Sequence, residues 1–315
     1  MSSTFCVNPW QSTRRKRALE KISETSDAFV YRDIHEFKET YSGKGQVGSI
    51  DFHGNPIDFL LRPSDVPRLV VTFNSQQSSD GTLKLFTWMN LARQFNSSVL
   101  HISDPTLYVM EDSLIGWYAS NYRHSFQADI QLLIQTVMEL VKAEEVVFLG
   151  SSGGGFPAAL YSQIFPGSTA LLLAPTLNLR EATNRNTKQA FLTDLNRVSD
   201  FSELDNLYPE QVLSIKDLVE GVGEFTGSIN LLQSRGDLQF WKHHTMPLLS
   251  FMEDQPSTPP HEVQIKNFSA VFGDWSDGHA PPPNEVITRA VDFLSQAPIG
   301  EMHLQRLTKD VLEQC

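Results

Sequence analysis

Residues 146–160 run Val146-Val147-Phe148-Leu149-Gly150-Ser151-Ser152-Gly153-Gly154-Gly155-Phe156-Pro157-Ala158-Ala159-Leu160. The first four residues are apolar and predict a buried strand, the glycines and serines predict a tight turn, and the small residues after Phe156 predict a helix. A buried strand that passes directly into a helix is typical of α/β proteins, in which such turns lie at the carboxyl edge of a parallel sheet.

The spacing within this turn predicts a nucleophile at Ser152, in the pattern G-x-S-x-G of a nucleophile elbow. Gly150 and Gly154 stand two residues before and two residues after it, where side chains would collide as the strand and the helix approach each other. The N–H of Gly153 is predicted to point at a developing oxyanion, and the positive end of the helix adds to its effect. Ser151 is a competing nucleophile, but only Ser152 has a glycine at both flanking positions.

Three other interpretations of the turn carry different chemistry or none. A dinucleotide-binding loop requires G-x-G-x-x-G and an acidic residue after the next strand, whereas that strand ends in Leu173-Ala174-Pro175. A P-loop requires a lysine, which the turn lacks. A structural glycine-rich turn without chemistry stays open, because G-x-S-x-G is common by chance and gains weight only at the end of a buried strand.

Further apolar runs predict strands on both sides of the turn. They cover residues 45–52 and 56–61, which form a hairpin around His53-Gly54-Asn55, and then 69–73, 98–102, 145–149, 169–173, 229–232 and 263–268. Helical periodicity predicts helices over 33–40, 83–95, 126–141, 156–164, 240–252 and 284–294. This alternation predicts an α/β fold with a mostly parallel central sheet and helices on both faces.

The alternation of strands and helices breaks between Thr176 and Thr226, where polar helical pieces such as 188–198 and 209–219 replace strands. About fifty residues are too many for a simple loop in a compact domain, so this segment is predicted to be a helical insertion. The predicted organisation is therefore a peripheral N-terminal segment at 1–44, an α/β core at 45–175 and 227–297, the insertion at 176–226, and a C-terminal helical tail at 298–315.

Two further residues suit the acid and the base of a nucleophilic serine. Asp237 follows the predicted strand 229–232 and precedes a helix, so it is also a candidate N-cap for that helix. His279 precedes Pro281-Pro282-Pro283, in a loop after the last predicted strand. An imidazole there would take the serine proton and return it to the leaving group, while Asp237 holds its tautomer.

Rival acids and a metal site are weaker candidates. Asp274 and Asp277 are close to His279 in sequence, which makes them second choices for the acid. A metal site drawn from Asp237, Asp277 and the histidines has no recognised spacing such as H-E-x-x-H, so no metal is predicted. Among the other histidines, His243 and His244 are predicted on a helix surface, and His101, inside an apolar run, is predicted to be a core histidine.

With the turn at Ser152, the acid at Asp237 and the histidine at His279, the chain resembles the α/β-hydrolase superfamily over roughly residues 45–297. That superfamily presents nucleophile, acid and histidine in this chain order, so the resemblance implies a triad and acyl transfer through a serine ester. It also implies that 176–226 is a cap or lid. The glycine-rich turn and the Asp277-Gly278-His279-Ala280-Pro281-Pro282-Pro283 loop further resemble bacterial proteins associated with capsule or surface-glycan production.

A second oxyanion donor is expected from the loop after the strand at 69–73. This loop reads Phe73-Asn74-Ser75-Gln76-Gln77-Ser78 and lacks the H-G-G-G motif of many lipases and esterases. A main-chain N–H of Ser75 or Gln76 is the candidate, and a side-chain donor stays open as the alternative.

Composition limits the partners. The chain has 315 residues, 40% of them hydrophobic, and a formal charge of −12, which argues against a nucleic-acid-binding surface. Its two cysteines, Cys6 and Cys315, cannot build a disulfide framework, so a cytoplasmic location is expected. No signal peptide or membrane-spanning run is predicted, and the basic run Arg14-Arg15-Lys16-Arg17 is expected to be a solvated helix start.

These observations lead to one function and two alternatives. The first is a serine hydrolase, esterase-like, acting on a small-molecule or glycan ester without a cofactor. The second is an acyltransferase that moves an acyl group to a glycan or another hydroxyl acceptor with the same triad. The third is a non-catalytic domain of the same fold that binds a partner, and a protein partner or a homo-oligomer stays open in every case.

Overall fold

The structure is a computed structural model and describes residues 8–23, 28–80 and 82–297. Its strands are β1 (Ala28–Tyr31), β2 (Gln46–Phe52), β3 (Asn55–Arg62), β4 (Arg68–Phe73), β5 (Ser98–Ile102), β6 (Ser120–Asn121), β7 (His124–Ser125), β8 (Glu145–Ser151), β9 (Thr169–Leu173), β10 (Ser228–Ser234), β11 (Glu262–Ile265) and β12 (Phe268–Gly273). Strands β6 and β7 form a small separate hairpin, and the other ten form one sheet.

The ten-stranded sheet has the order β1-β2-β3-β5-β4-β8-β9-β10-β12-β11. Six neighbouring strands, from β5 to β12, are parallel to one another, whereas β3 is antiparallel to both of its neighbours and β11 is antiparallel to β12. The predicted mostly parallel α/β sheet is therefore confirmed. Parallel strands end at one edge, so the residues that follow β8, β10 and β12 come close together in space.

The α-helices are α1 (Thr13–Ser23), α2 (Ile34–Thr40), α3 (Met89–Ala92), α4 (Gln127–Val141), α5 (Gly155–Ile164), α6 (Arg185–Ala190), α7 (Phe201–Leu207), α8 (Ile215–Val222), α9 (Leu238–Phe240), α10 (Met246–Leu249) and α11 (Asn284–Gln296). They cover both faces of the sheet. Along β8, Phe148 packs into the core formed with α4, α5 and α8, and Val147 packs into the core formed with α3 and α11. Strands buried on both faces are continuous in apolar residues, which is why the sequence pattern predicted them.

The last predicted strand, 263–268, is wrong in its extent. The chain forms an antiparallel hairpin there, in which β11 turns at Lys266, a residue with φ of +48°, and β12 follows. The final parallel strand is thus Phe268–Gly273. It is buried along most of its length, whereas β11 alternates between exposed and half-buried residues at the sheet edge.

The helix predicted at 83–95 is also shorter than expected, because only α3 is helical within it. The Asn74 side chain binds the preceding loop instead. Its Nδ2 donates to the carbonyl oxygens of Lys84 and Leu85, at 3.1 and 2.7 Å, and its Oδ1 accepts from the N–H of Thr87 at 2.9 Å. The predicted helix 240–252 is likewise divided into α9, a π-helical turn at Trp241–Thr245, and α10.

The N-terminal segment is more closely integrated than a peripheral arm. Strand β1 extends the sheet beyond the predicted hairpin, and the expectation of a solvated basic run is wrong for Arg14 and Arg15, which are buried. The Arg15 guanidinium binds both carboxylate oxygens of Asp58 on β3, at 2.6 and 2.7 Å. The predicted tail at 298–315, Cys6 and Cys315 lie outside the described residues.

Residues 176–226 consist of α6, α7 and α8 with short 3₁₀ and π-helical turns, and the sheet resumes at Ser228. Two of the basic side chains in this segment have partners. Arg180 forms an ion pair with Asp205 at 2.7 Å, and Arg197 lies over the ring of Tyr122 at 3.7 Å. Within the described parts of the chain, no helix is long and apolar enough to span a bilayer.

Candidate active site

Ser152 lies at the junction of β8 and α5, in a 3₁₀ turn at Ser152–Gly154. Its φ of +49° is in the left-handed region, which is uncommon for a residue with a Cβ and marks a strained turn. The main chain holds this conformation, since the N–H of Thr176 donates to the Ser152 carbonyl oxygen at 2.9 Å. Ser151 ends the strand and is buried, whereas Ser152 is half-buried and reaches the open edge of the sheet.

The glycines around Ser152 are sterically required. A Cβ on Gly150 would overlap the carbonyl oxygen of Gly154, and a Cβ on Gly154 would lie 2.6 Å from the carbonyl oxygen of Asn74. Gly155, for which the elbow pattern sets no requirement, is also constrained, because a Cβ there would overlap Pro175. The turn therefore packs backbone against backbone on both sides.

The structure brings Ser152, His279 and Asp237 into one hydrogen-bonded chain. The Ser152 Oγ lies 2.9 Å from His279 Nε2, and His279 Nδ1 lies 2.7 Å from Asp237 Oδ2. When Nδ1–H donates to the carboxylate, Nε2 is left as the acceptor for the serine hydroxyl. This is the arrangement in which an imidazole removes a proton from a serine.

Asp237 makes the contacts expected of both its candidate roles, the acid beside His279 and the N-cap of the following helix. Its Oδ2 faces His279, while its Oδ1 accepts a hydrogen bond from the Phe240 N–H at 3.3 Å and caps α9. The side chain is only 2% exposed. A buried carboxylate with both oxygens engaged has a fixed orientation.

The loop that carries His279 is anchored to the end of β10. The Ser234 hydroxyl donates to the Ser276 carbonyl oxygen at 2.7 Å and accepts from the Ser276 N–H at 2.9 Å. Of the rival acids, Asp274 forms a surface ion pair with Arg235 at 3.2 Å, and Asp277 is exposed. In the described part of the chain, Asp237 rather than either rival is hydrogen-bonded to His279.

Phe240 is a site residue that the sequence analysis missed. Its ring stacks on the His279 imidazole with centroids 3.7 Å apart and planes 12° apart. The imidazole remains 35% exposed, so solvent reaches it on the side away from the phenyl ring. In the sequence, the sign of this contact is an aromatic residue three positions after Asp237.

The candidate oxyanion region lies between Gly153 and the loop after β4. The N–H of Asn74 is bonded to the Tyr118 hydroxyl at 2.6 Å and that of Gln77 to the Leu114 carbonyl oxygen at 2.8 Å. Between them, the N–H groups of Ser75 and Gln76 have no partner in the described part of the chain. The two N–H groups named from the sequence as candidate donors thus lack an intramolecular acceptor in that part of the structure.

A strained segment forms a wall beside Gly153. Trp117 and Tyr118 have φ values of +55° and +59°, and a Cβ on Gly153 would lie 3.3 Å from Trp117 Nε1. Asp104 stabilises this segment through the Gly116 N–H, at 3.2 Å. Burial raises the pKa of Asp104, whose hydrogen bonds to Thr106 and Gly116 oppose that shift. No sequence pattern indicated this wall, because it depends on contacts between distant loops.

The other histidines lie outside the hydrogen-bonded chain. His101 is a core residue as predicted, with Nδ1 2.7 Å from the Thr72 hydroxyl, and burial lowers its pKa to about 4. The surface prediction is wrong for His244, which is buried behind Phe240 and has a pKa lowered to about 3, chiefly by burial. His243 is half-buried and lies 3.3 Å from Glu181. Across the described ranges, no group of three or more acidic, histidine or cysteine residues is placed to hold a metal ion.

The fold is shared with several solved structures. The capsule O-acetyltransferase of Neisseria meningitidis serogroup A is 14% identical, with a TM-score of 0.55 over 78% of this chain and 96% of that one. The chain has the α/β-hydrolase fold.

Two more neighbours share the α/β-hydrolase fold in longer chains. A chain of the glycosylation-associated protein complex Gap123 from Streptococcus agalactiae is 16% identical, with a TM-score of 0.54 over 82% of this chain and 47% of that one. Prolyl oligopeptidase B from Galerina marginata is 12% identical, with a TM-score of 0.52 over 85% and 37% of the two chains. No protein-family model and no curated protein sequence matches the chain.

Proposed function

We propose that the protein is a serine-dependent acyl-transfer enzyme that hydrolyses carboxylic esters through Ser152, His279 and Asp237. One observation carries the proposal: a continuous chain of hydrogen bonds joins the serine hydroxyl to a buried carboxylate through an imidazole. The strained elbow and its glycines support it, because strain of this kind is retained at functional sites.

In the proposed first half-reaction, Ser152 Oγ attacks the ester carbonyl carbon while His279 Nε2 takes the hydroxyl proton. The carbonyl oxygen gains negative charge and accepts hydrogen bonds from the Gly153 N–H and from the N–H of Ser75 or Gln76. When the tetrahedral intermediate collapses, His279 returns the proton to the departing alkoxide. An acyl group is then bound to Ser152 as an ester.

In the second half-reaction an acceptor hydroxyl attacks the acyl carbon while His279 Nε2 takes its proton. Collapse of the resulting tetrahedral intermediate breaks the ester bond to Ser152, and His279 returns the proton to the serine oxygen. The 35% exposure of the His279 side chain supports water as the acceptor, because solvent reaches this part of the site. Each step uses only groups of the chain and its substrate, so the proposal includes no cofactor.

Acyl transfer to a glycan hydroxyl is the second candidate. It is supported by the likeness to the capsule O-acetyltransferase, because that likeness extends over 96% of the neighbour. The two candidates share every step up to the acyl-enzyme and differ in the acceptor. A partner-binding domain without catalysis is less favoured, because such a domain has no need of the Ser152–His279–Asp237 chain.

A fluorophosphonate probe tests the proposal on the full chain, with Ser152→Ala and Ser151→Ala as a matched pair. We expect labelling of the native protein and of Ser151→Ala, and none of Ser152→Ala. A folded native protein that stays unlabelled, or labelling that persists in Ser152→Ala, would contradict the proposal. Product analysis of p-nitrophenyl acetate turnover with and without an added oligosaccharide then separates hydrolysis from transfer.

A further inference from the structure

The His279 imidazole is held at its edge and on its face by residues of a single turn. Asp237 binds the edge through Nδ1 at 2.7 Å, and Phe240, three residues later, stacks on the face with the ring centroids 3.7 Å apart. The Phe240 N–H also donates to the second oxygen of Asp237. The helix cap at 237–240 therefore sets the position of the acid and of the aromatic ring together.

The stack is close and well shielded on the phenyl side. Phe240 is 7% exposed, and its ring also contacts the buried His244, with ring centroids 4.7 Å apart and planes tilted by 59°. The phenyl ring thus has little freedom to rotate away from His279. A planar contact at this distance fixes the plane of the imidazole, and the hydrogen bond of Nδ1 to Asp237 then sets the orientation in which Nε2 faces Ser152.

We propose that Phe240 is a positioning residue that orients His279 and stabilises its protonated form during acyl transfer. The face of an aromatic ring carries negative charge density and attracts a cation within about 6 Å of its centroid. Imidazolium exists from the moment Ser152 gives up its proton until the leaving group receives it. The inference rests on the proposed function, because only a catalytic His279 becomes charged in this way.

Apart from Asp237, the charged and titratable groups around His279 do not compete with Phe240 in stabilising the imidazolium. Burial keeps His244 neutral, with a pKa lowered to about 3, so it places no second cation behind the phenyl ring. The remaining groups on the adjoining elements are partnered or exposed. They are the Arg235–Asp274 pair, the His243–Glu181 pair, exposed Lys242 and exposed Asp277.

The test compares Phe240→Leu and Phe240→Met, which remove the aromatic face, with Phe240→Tyr, which keeps it. The second-order rate of fluorophosphonate labelling is measured for each full-length variant from pH 4 to pH 9, together with kcat and KM for p-nitrophenyl acetate. Thermal unfolding identifies variants that fold. Methionine fills nearly the volume of the phenyl ring, so it remains informative if the leucine variant does not fold.

We expect the non-aromatic variants to label about tenfold more slowly on the plateau, with kcat reduced and KM unchanged. The acid limb of their plot of labelling rate against pH should move to lower pH by about half a unit, because an imidazolium without the phenyl ring beside it is less stable. Phe240→Tyr should retain the native profile. A slower labelling rate on the plateau with an unmoved acid limb would overturn the electrostatic role of Phe240. It would mean that the ring acts on His279 through packing only.

Failure of this inference is distinct from failure of the proposed function. If Ser152→Ala abolishes labelling while Phe240→Met matches the native protein at every pH, the proposed function stands and the role of Phe240 is refuted. If the folded native protein is not labelled, the proposed function fails, and the inference fails with it.

Discussion

The Ser152 Oγ and the Nε2 atom of His279 lie 2.9 Å apart, although 127 residues separate them in sequence. The contact exists because β8 and β12 run parallel and end at the same edge of the sheet. Asp237, at the end of β10 between them, reaches the other side of the imidazole. The contact of Ser152 with the imidazole, and of the imidazole with Asp237, therefore depends on the alignment of three strands.

Asp237→Asn should lower kcat by about 10³–10⁴-fold, because an amide favours the wrong imidazole tautomer. The thermal midpoint should change little, since Asn caps a helix as well as Asp does. Steady-state kinetics on p-nitrophenyl acetate would measure the loss.

Asp274→Asn is the matched control for this acid. Its carboxylate pairs with Arg235 at the surface, where such pairs contribute little, so activity should stay within about twofold of native. A large loss in Asp274→Asn with little in Asp237→Asn would reverse the assignment of the acid.

Gly154→Ala should destabilise the fold by about 1–3 kcal/mol, because the added Cβ would press on the carbonyl oxygens of Asn74 and Phe73, at 2.6 and 2.8 Å. Gly221 lies in α8 with open space around it, so Gly221→Ala should instead raise the free energy of unfolding by about 0.5–1 kcal/mol. Urea unfolding of both variants measures the contrast. Equal stability of the two variants would argue against the close packing of the elbow.

The free energy of unfolding should fall as the pH drops below about 6.5, partly because His101 and His244 are buried in their neutral form. Burial lowers their pKa values to about 4 and about 3. Between pH 6.5 and these values the unfolded chain binds protons that the folded chain does not, so acid favours unfolding.

His244→Leu isolates the contribution of one of these histidines. Both ring nitrogens of His244 lack partners in the described part of the chain, so an apolar side chain loses no hydrogen bond there. Urea unfolding at pH 7 and pH 4.5 should show a smaller decline for the variant than for the native protein. An identical decline would mean that His244 is protonated in the folded state.

Arg15→Met should cost about 3–5 kcal/mol, because it leaves the Asp58 carboxylate buried without its cation. Adding Asp58→Leu should recover most of that loss. Arg17→Met, on the exposed side of α1, should change stability by no more than about 0.5 kcal/mol. Chemical denaturation of the three variants measures these differences, and similar values for Arg15→Met and Arg17→Met would contradict the structural role of the pair.

The central strands and the elbow were predictable because their signals are local. Strands such as β8 and β9 are buried on both faces and form unbroken apolar runs. Gly150 is required by a contact within the turn, whereas Gly154, which the same short pattern predicted, is required by the carbonyl oxygens of Phe73 and Asn74. Asp237 and His279 were found from their positions after strands, since parallel strands deliver such residues to one edge.

The remaining features depend on contacts between residues that are distant in sequence. Arg15 was expected at the surface because its partner Asp58 lies 43 residues away on another strand. The burial of His244 and the stack of Phe240 on His279 follow from the way the segment after β10 packs, which a helical pattern does not show. The β11–β12 hairpin was missed because its turn, at Lys266 and Asn267, lacks the glycine that usually marks such a turn.

The Tyr118 hydroxyl joins two loops of the site through a single oxygen atom. It accepts from the Asn74 N–H after β4 and donates to the Ile102 carbonyl oxygen at the end of β5. A displacement of the wall at Trp117 is thereby transmitted to the loop that presents Ser75 and Gln76. We therefore expect substitutions in that wall to displace the Ser75 and Gln76 amides as well, so the two loops are best varied together.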